Sequence, residues 1–129
     1  MVVVDSSVWI DFFRGIEAAG TVQLRDLLGK RGIITGDLIV AEVLQGFTHE
    51  RDFQIARGIF STMPVMALCG MEIAVRAAVN FRHLRTRGIT VRKTIDTIIA
   101  TWCIENGHAL LASDRDFEPF FAHLGLERA

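Results

Sequence analysis

The chain opens on Val2, Val3 and Val4, a β-branched run that predicts a buried strand and stops at a charge, Asp5. Ser6 or Ser7 caps a helix from Val8 to about Arg14. Beyond a loop over Gly15–Gly20, a second helix is expected over Thr21–Leu28, closed by the segment Gly29–Gly32, and a second strand over Ile33–Thr35. Asp37 caps a third helix through Gly46, and a fourth runs from about Glu50 to Ser61. Pro64 breaks the chain before a third strand at Val65–Leu68. Met71–Arg87 has the pattern of a long amphipathic helix ended by Gly88, and Thr94 caps another that runs through Asn106 and stops at Gly107. Ala109–Ala112 is a fourth strand, a short last helix follows Asp116, and Leu124–Leu126 adds an edge strand. Strands alternating with helices predict an α/β fold, a mostly parallel central sheet flanked by helices on both faces.

Four carboxylates stand at strand ends or helix starts in this pattern: Asp5, Glu42, Asp96 and Asp114. Ligands of an open parallel sheet sit beyond the carboxyl ends of its strands, where Asp5 and Asp114 fall. Asp96 lies in the first turn of its helix, with Ile99, Ala100 and Cys103 on the same face. Glu42 follows Leu38 and Ile39 by one turn. Both helical acids therefore turn inward. A buried carboxylate without a partner costs several kcal/mol or takes up a proton. Within the two predicted helices no lysine or arginine stands at helical spacing from either acid. An all-oxygen cluster of this kind suits a hard divalent cation, Mg2+ with Mn2+ as the alternative. The ordinary reading of each acid singly is a helix cap or a first-turn charge. Asp116 precedes Phe117-Glu118-Pro119 and reads first as an N-cap, with a supporting place in the metal site second. Asp11 and Glu118 read as solvated.

Composition narrows the picture. With 129 residues and half of them hydrophobic, the chain suits one domain, residues 1–129, with a genuine core. Mean hydropathy is high at +0.34, yet no apolar run spans a membrane. The N-terminus has no basic leader, and the expected location is cytoplasmic. Surplus hydrophobicity suits a protein–protein surface. Trp9, Phe12, Phe13 and Ile16 fall at helical spacing, either as core or as an exposed stripe for a partner, with Phe47 near it. Cys69 and Cys103 read as small buried hydrophobes, and His49, His83, His108 and His123 are too scattered for zinc. Net charge is −1, but no acid interrupts the stretch between Glu72 and Asp96, which carries Arg76, Arg82, Arg85, Arg87, Arg92 and Lys93. This is a candidate phosphate-facing surface, against the ordinary reading of a solvated helix face.

Four segments in order carry a resemblance: Val4-Asp5-Ser6-Ser7-Val8-Trp9-Ile10-Asp11, Ala41-Glu42-Val43, Thr94-Ile95-Asp96-Thr97-Ile98-Ile99-Ala100, and Ser113-Asp114-Arg115-Asp116-Phe117. Together they resemble the PIN-domain ribonucleases, and within them the VapC toxins of bacterial type II toxin–antitoxin modules. The resemblance covers the whole chain. It implies a Mg2+-dependent endoribonuclease toxin whose catalytic quartet falls on Asp5, Glu42, Asp96 and Asp114. It implies that Asp5 and Asp96 hold the metal most directly, and that Ser7, less surely Ser6, is the supporting hydroxyl. It also implies a VapB-like antitoxin partner and an RNA substrate; the basic stretch makes Arg92 and Lys93 the candidates to hold RNA phosphate, and the apolar surplus suggests a second copy in a homodimer. The alternatives are a non-catalytic RNA- or antitoxin-binding module with a relict metal pocket, or a PIN-like DNA nuclease. A haloacid-dehalogenase phosphatase needs an acid two residues after the first, where this chain has Ser7.

Overall fold

A computed structural model describes residues 1–30 and 32–129. Four strands, β1 (Val2–Val4), β2 (Ile33–Gly36), β3 (Val65–Met66) and β4 (Ala109–Leu111), form one sheet in the order β3-β2-β1-β4. Every pairing among them is parallel: Val3 faces Ile34 on one side and Leu110 on the other, and Thr35 faces Val65. The helices are α1 (Ser6–Phe13), α2 (Ala19–Leu27), α3 (Asp37–Leu44), α4 (Glu50–Phe60), α5 (Met71–Thr86), α6 (Thr94–Asn106) and α7 (Glu118–His123), with a 3-10 turn at Arg115–Phe117. They cover both faces of the sheet as expected. In one group α1 packs on α2 and α3, and α3 on α4; in the other α5 packs on α6, and α6 on β4 and the 3-10 turn.

The core follows from the pattern. Val3 and Val4 of β1 and Leu110 and Leu111 of β4 are buried, with Trp9, Leu24 and Ile39 from the first helices and Ile99, Ala100 and Cys103 from α6. Helix α6 is buried almost all round from Asp96 to Cys103. Gly107, at φ +70°, supplies the left-handed residue that ends α6 and turns the chain into β4. At the end of β2, Gly36 is required for space: a Cβ there would meet Leu68 at 2.2 Å. The Asp37 carboxylate beside it accepts the Leu68 N–H at 3.1 Å, which ties the start of α3 to the segment after β3.

Several boundaries differ from the sequence reading. Helix α1 starts at Ser6, because Asp5 is its N-cap and neither serine is. Lys93, not Thr94, is the N-cap of α6, and Gly36, not Asp37, that of α3. The third strand ends at Met66. Leu124–Leu126 forms no strand; the C-terminus instead meets β4 at Arg128, with the Leu110 N–H donating to the Glu127 carbonyl at 2.8 Å. The expected stop at Gly29–Gly32 includes residue 31, outside the described residues. Cys103 is buried as expected, but Cys69 is exposed, because the inward position there belongs to its neighbour Leu68.

Candidate metal centre and active site

The chain goes from β1 to β2 and β3 on one side, then crosses through α5 and α6 to place β4 on the other side of β1. The reversal lies between β1 and β4, and a parallel sheet opens a crevice at the carboxyl ends of such a pair. Asp5 follows β1 directly, and its N–H donates to the Leu111 carbonyl of β4 at 2.8 Å. Asp114 lies three residues beyond Leu111. Helix α6 points its N-terminus at the same place and brings Asp96, and α3 brings Glu42.

Each acid is held by a local contact. One Asp5 oxygen, Oδ2, caps α1 by accepting the Ser7 N–H at 3.1 Å and the Ser7 hydroxyl at 2.6 Å. The Ser113 hydroxyl, next to Asp114, reaches Ser7 Oγ at 3.2 Å, which joins the two strand ends through a pair of serines. Ser6 donates to Glu42 Oε1 at 3.2 Å. Asp114 Oδ1 accepts the Asp116 N–H at 2.9 Å and so caps the 3-10 turn. The expected cap at Asp116 is not formed: Asp114 caps the 3-10 turn, and Phe117 is the N-cap of α7. The Asp116 carboxylate joins the cluster instead: oxygens of Asp96, Asp114 and Asp116 all lie within 4.8 Å of one another.

The electrostatics show the cost of this arrangement. Burial, followed by the charges of Asp5, Asp114 and Glu42, pushes the Asp96 carboxyl up to about 7, although Lys93 acts against the rise. Burial also raises Asp5, against the lowering effect of its bonds to Ser7, with the Asp114 charge adding to the rise. Glu42 is raised by burial and then by Asp5, while Ser6 and Lys93 oppose. Asp96 is thus close enough to feel the charges of Asp5, Asp114 and Glu42.

Three carboxylate oxygens there, Asp5 Oδ1, Asp96 Oδ2 and Asp116 Oδ2, are buried without a hydrogen-bond donor. Buried polar atoms are nearly always paired, so three orphaned oxygens in one place fit a group that binds among them. The donors are all oxygen, which suits a hard divalent cation.

Two residues take a place the sequence reading did not give them. Lys93 Nζ is 3.6 Å from Asp114 Oδ2 and 4.0 Å from Asp116 Oδ2, and an Arg92 guanidinium nitrogen is 3.3 Å from Asp116 Oδ1. Both were expected to face phosphate, yet both pair with the acids. Three arginines of the basic stretch have contacts of their own. Arg76 pairs with Glu105 at 3.8 Å, Arg87 contacts His123 Nδ1 at 3.2 Å, and Arg85 lies over the Phe81 ring.

The aromatic stripe divides. Trp9 is fully buried and belongs to the core, where its ring meets Phe60 at 4.9 Å. Phe12 and Phe13 are half-buried, and Ile16 is exposed beyond the helix end. Phe13 packs edge-on against Phe47 at 5.5 Å, and the two, with Ile10, Val43, Gly46 and Asp52, line an open groove of about 240 Å3 between α1 and the end of α3. Glu118 is exposed but paired with Arg128 at 2.8 Å, and Asp11 is half-buried, so neither is simply solvated.

A parallel sheet with an acid crevice at its switch point is the arrangement of a metal-dependent nuclease, and residues 2–120 match the model of the PIN domain. The chain belongs to the PIN domain family, whose nucleases generally use a divalent metal. Among curated relatives it is similar to the VapC ribonuclease Mb1587 of Mycobacterium bovis and to ribonuclease VapC11 of Mycobacterium tuberculosis. Each is 28% identical over 121 residues, an alignment that covers 92% of this chain and 90% of the relative. Among solved structures, VapBC2 from Rickettsia felis bound to a DNA fragment from its promoter aligns with a TM-score of 0.75 at 16% identity, over 100% of this chain and 98% of that one. The M. tuberculosis toxin VapC20, described as cleaving the sarcin–ricin loop, aligns with a TM-score of 0.68 at 16% identity, over 92% and 93%. At such identity the likeness is one of fold. No described helix is long and apolar enough to cross a membrane.

Proposed function

We propose that residues 1–129 act as one PIN domain, a Mg2+-dependent endoribonuclease that is the toxin of a type II toxin–antitoxin pair. The observation that carries this reading is the convergence of Asp5, Glu42, Asp96 and Asp114 on one crevice that contains orphaned carboxylate oxygens. The family match and the VapC ribonuclease relatives favour RNA as the substrate, and a complete acid set disfavours a relict binding pocket.

Asp5 and Asp96 hold the metal most directly, Asp114 completes the set, and Asp116 supports it from the adjoining turn. A divalent cation held by these residues, Mg2+ or Mn2+ in its place, would supply Lewis acidity and positive charge for phosphodiester hydrolysis. Glu42, its proton affinity raised by burial and its Oε1 fixed by Ser6, orients the attacking water and receives its proton. Ser7 fixes one Asp5 oxygen and leaves the other turned to the site. Arg92 and Lys93 stand at the rim with their side chains more than half exposed, where an RNA backbone would approach. In-line attack of water on phosphorus with cleavage of the P–O3′ bond, the departing oxygen taking up a proton, would leave a 5′-phosphate and a 3′-hydroxyl.

The groove beside Phe13 and Phe47 suits an apolar segment of a VapB-like antitoxin, and its place along α1 from Asp5 lets that segment reach across the crevice. The outer face of α5 exposes Met71, Val75 and Val79 at four-residue spacing, which suits a homodimer. The expected location remains the cytoplasm. The test is cleavage of RNA by the purified chain with Mg2+ and with chelator. Wild type should cut only with Mg2+, and Asp96→Asn should lower the rate by about a thousandfold, in the range usual for loss of a group acting in the transition state. A wild-type rate from folded Asp96→Asn contradicts the assignment.

A further inference from the structure

Lys93 is placed by the backbone to meet the acids. It is the N-cap of α6, three residues before Asp96, and its carbonyl accepts the Thr97 N–H at 3.4 Å. From that fixed point its ammonium reaches between Asp114 and Asp116, at 3.6 and 4.0 Å. Both separations exceed the 2.7–3.2 Å or so of a direct N–H···O bond. The ammonium is thus held mainly by charge, with at most a weak hydrogen bond to Asp114, and its side chain is 57% exposed. A group held in this way can leave without stranding a buried donor.

The same oxygens are the ones a metal needs. Those of Asp96, Asp114 and Asp116 lie within 4.8 Å of one another, and a hard cation would draw in to about 2.0–2.6 Å from its ligands. A lysine ammonium touching two members of that set would then stand a few ångströms from a doubly charged ion, where like charges repel strongly in a partly buried site. Lysine and metal therefore cannot both be at their best.

We propose that Lys93 is a resident counter-cation of the acid cluster, which competes with the divalent metal for Asp114 and Asp116 and is turned outward, onto substrate phosphate, when the metal binds. The proposal rests on the metal-nuclease reading given above and adds a coupling to it. Linkage is reciprocal: whatever Lys93 takes from metal affinity, the metal takes from the hold of the acids on Lys93. Lys93 would lower the charge of the cluster in the metal-free protein and then present its own charge only at a loaded site. Arg92, 80% exposed and 3.3 Å from Asp116, adds to the same balance from further out.

The test is Mn2+ binding measured by calorimetry without RNA, at about pH 8, where carboxylates are largely ionised. The proteins are wild type, Lys93→Met, Lys93→Arg and Asp96→Asn. Lys93→Met should bind Mn2+ about tenfold more tightly than wild type, within the usual range of coupling between neighbouring sites. Lys93→Arg, which keeps the charge, should stay near wild type. Unchanged or weaker binding in folded Lys93→Met overturns the counter-cation, and weaker binding would make Lys93 an organiser of the acids. If wild type binds Mn2+ and Asp96→Asn does not, the metal site stands whatever Lys93→Met does. If wild type takes up no Mn2+, the metal-nuclease reading falls and the counter-cation with it.

Discussion

Helix α1 serves two regions built in opposite ways. Its N-cap places Asp5 in the acid crevice, and one and two turns later Trp9 and Phe13 enter a cluster of aromatic rings. In the aromatic region nearly everything is satisfied: Trp9 packs on Phe12, Phe13 and Phe60, and the polar atom left without a partner there is the neutral indole Nε1. In the crevice three buried carboxylate oxygens have no hydrogen-bond donor, and the neighbouring acids raise the proton affinity of Asp96. The first region stabilises the fold. The second spends part of that stability to hold charges together, as local conflict at a functional site usually does.

Substitutions should separate the two. Trp9→Ala removes a fully buried ring from the satisfied region and should cost about 4 kcal/mol in a urea denaturation experiment, as for other large aromatic deletions. A loss much below that would place the ring outside the framework that supports α1.

The crevice should show the reverse sign. Folding lifts the Asp96 carboxyl from 3.8 to about 7, so between those values the folded protein retains a proton that the unfolded chain has released. Stability is therefore present at low pH and lost as pH rises through the folded value. The raised carboxyls of Asp5 and Glu42 act in the same direction. Metal-free wild type should lose about 1–2 kcal/mol between about pH 5.5 and pH 8, an amount reduced from the full shift by solvent screening, and Asp96→Asn should lose less. Equal pH slopes in the two proteins would remove Asp96 as the source of conflict.

The smallest effect is expected at the rim. Replacing both Arg92 and Lys93 by alanine should flatten the salt dependence of RNA binding by roughly one to two in the log–log slope. An unchanged slope would leave the two as partners of the acids alone.

The contrast also explains what could be read from the chain. Asp5 and Asp114 were legible because each ends an apolar run, and Asp96 because Ile99, Ala100 and Cys103 fix its face; all three neighbours are fully buried. Pro119 signals a helix start and suggests Asp116 as its cap, but a 3-10 turn capped by Asp114 intervenes and Phe117 takes the N-cap of α7, so the Asp116 carboxylate lies with Asp96 and Asp114. Lys93 was missed as an acid partner because it stands just outside the predicted helix, and the cap lies one residue earlier than Thr94 suggests. The arginines look like one patch because they are close in sequence; the contacts of Arg76 with Glu105 and of Arg87 with His123 come from other elements and could not be read from that closeness. The periodicity of Trp9, Phe12, Phe13 and Ile16 fixes which side of the helix is apolar. It cannot say how deep each ring lies, since that depends on Phe47 and Phe60, far along the chain.

The central claim is that the unpaired acids are kept for a divalent cation, and thermal unfolding tests it most directly. At about pH 8, Mg2+ well above its dissociation constant should raise the wild-type melting temperature by roughly 5 °C, by mass action on the folded state. Asp96→Asn should melt above metal-free wild type and respond little to Mg2+. A wild-type melting temperature indifferent to Mg2+ and Mn2+, or an equal rise in Asp96→Asn, would contradict the account.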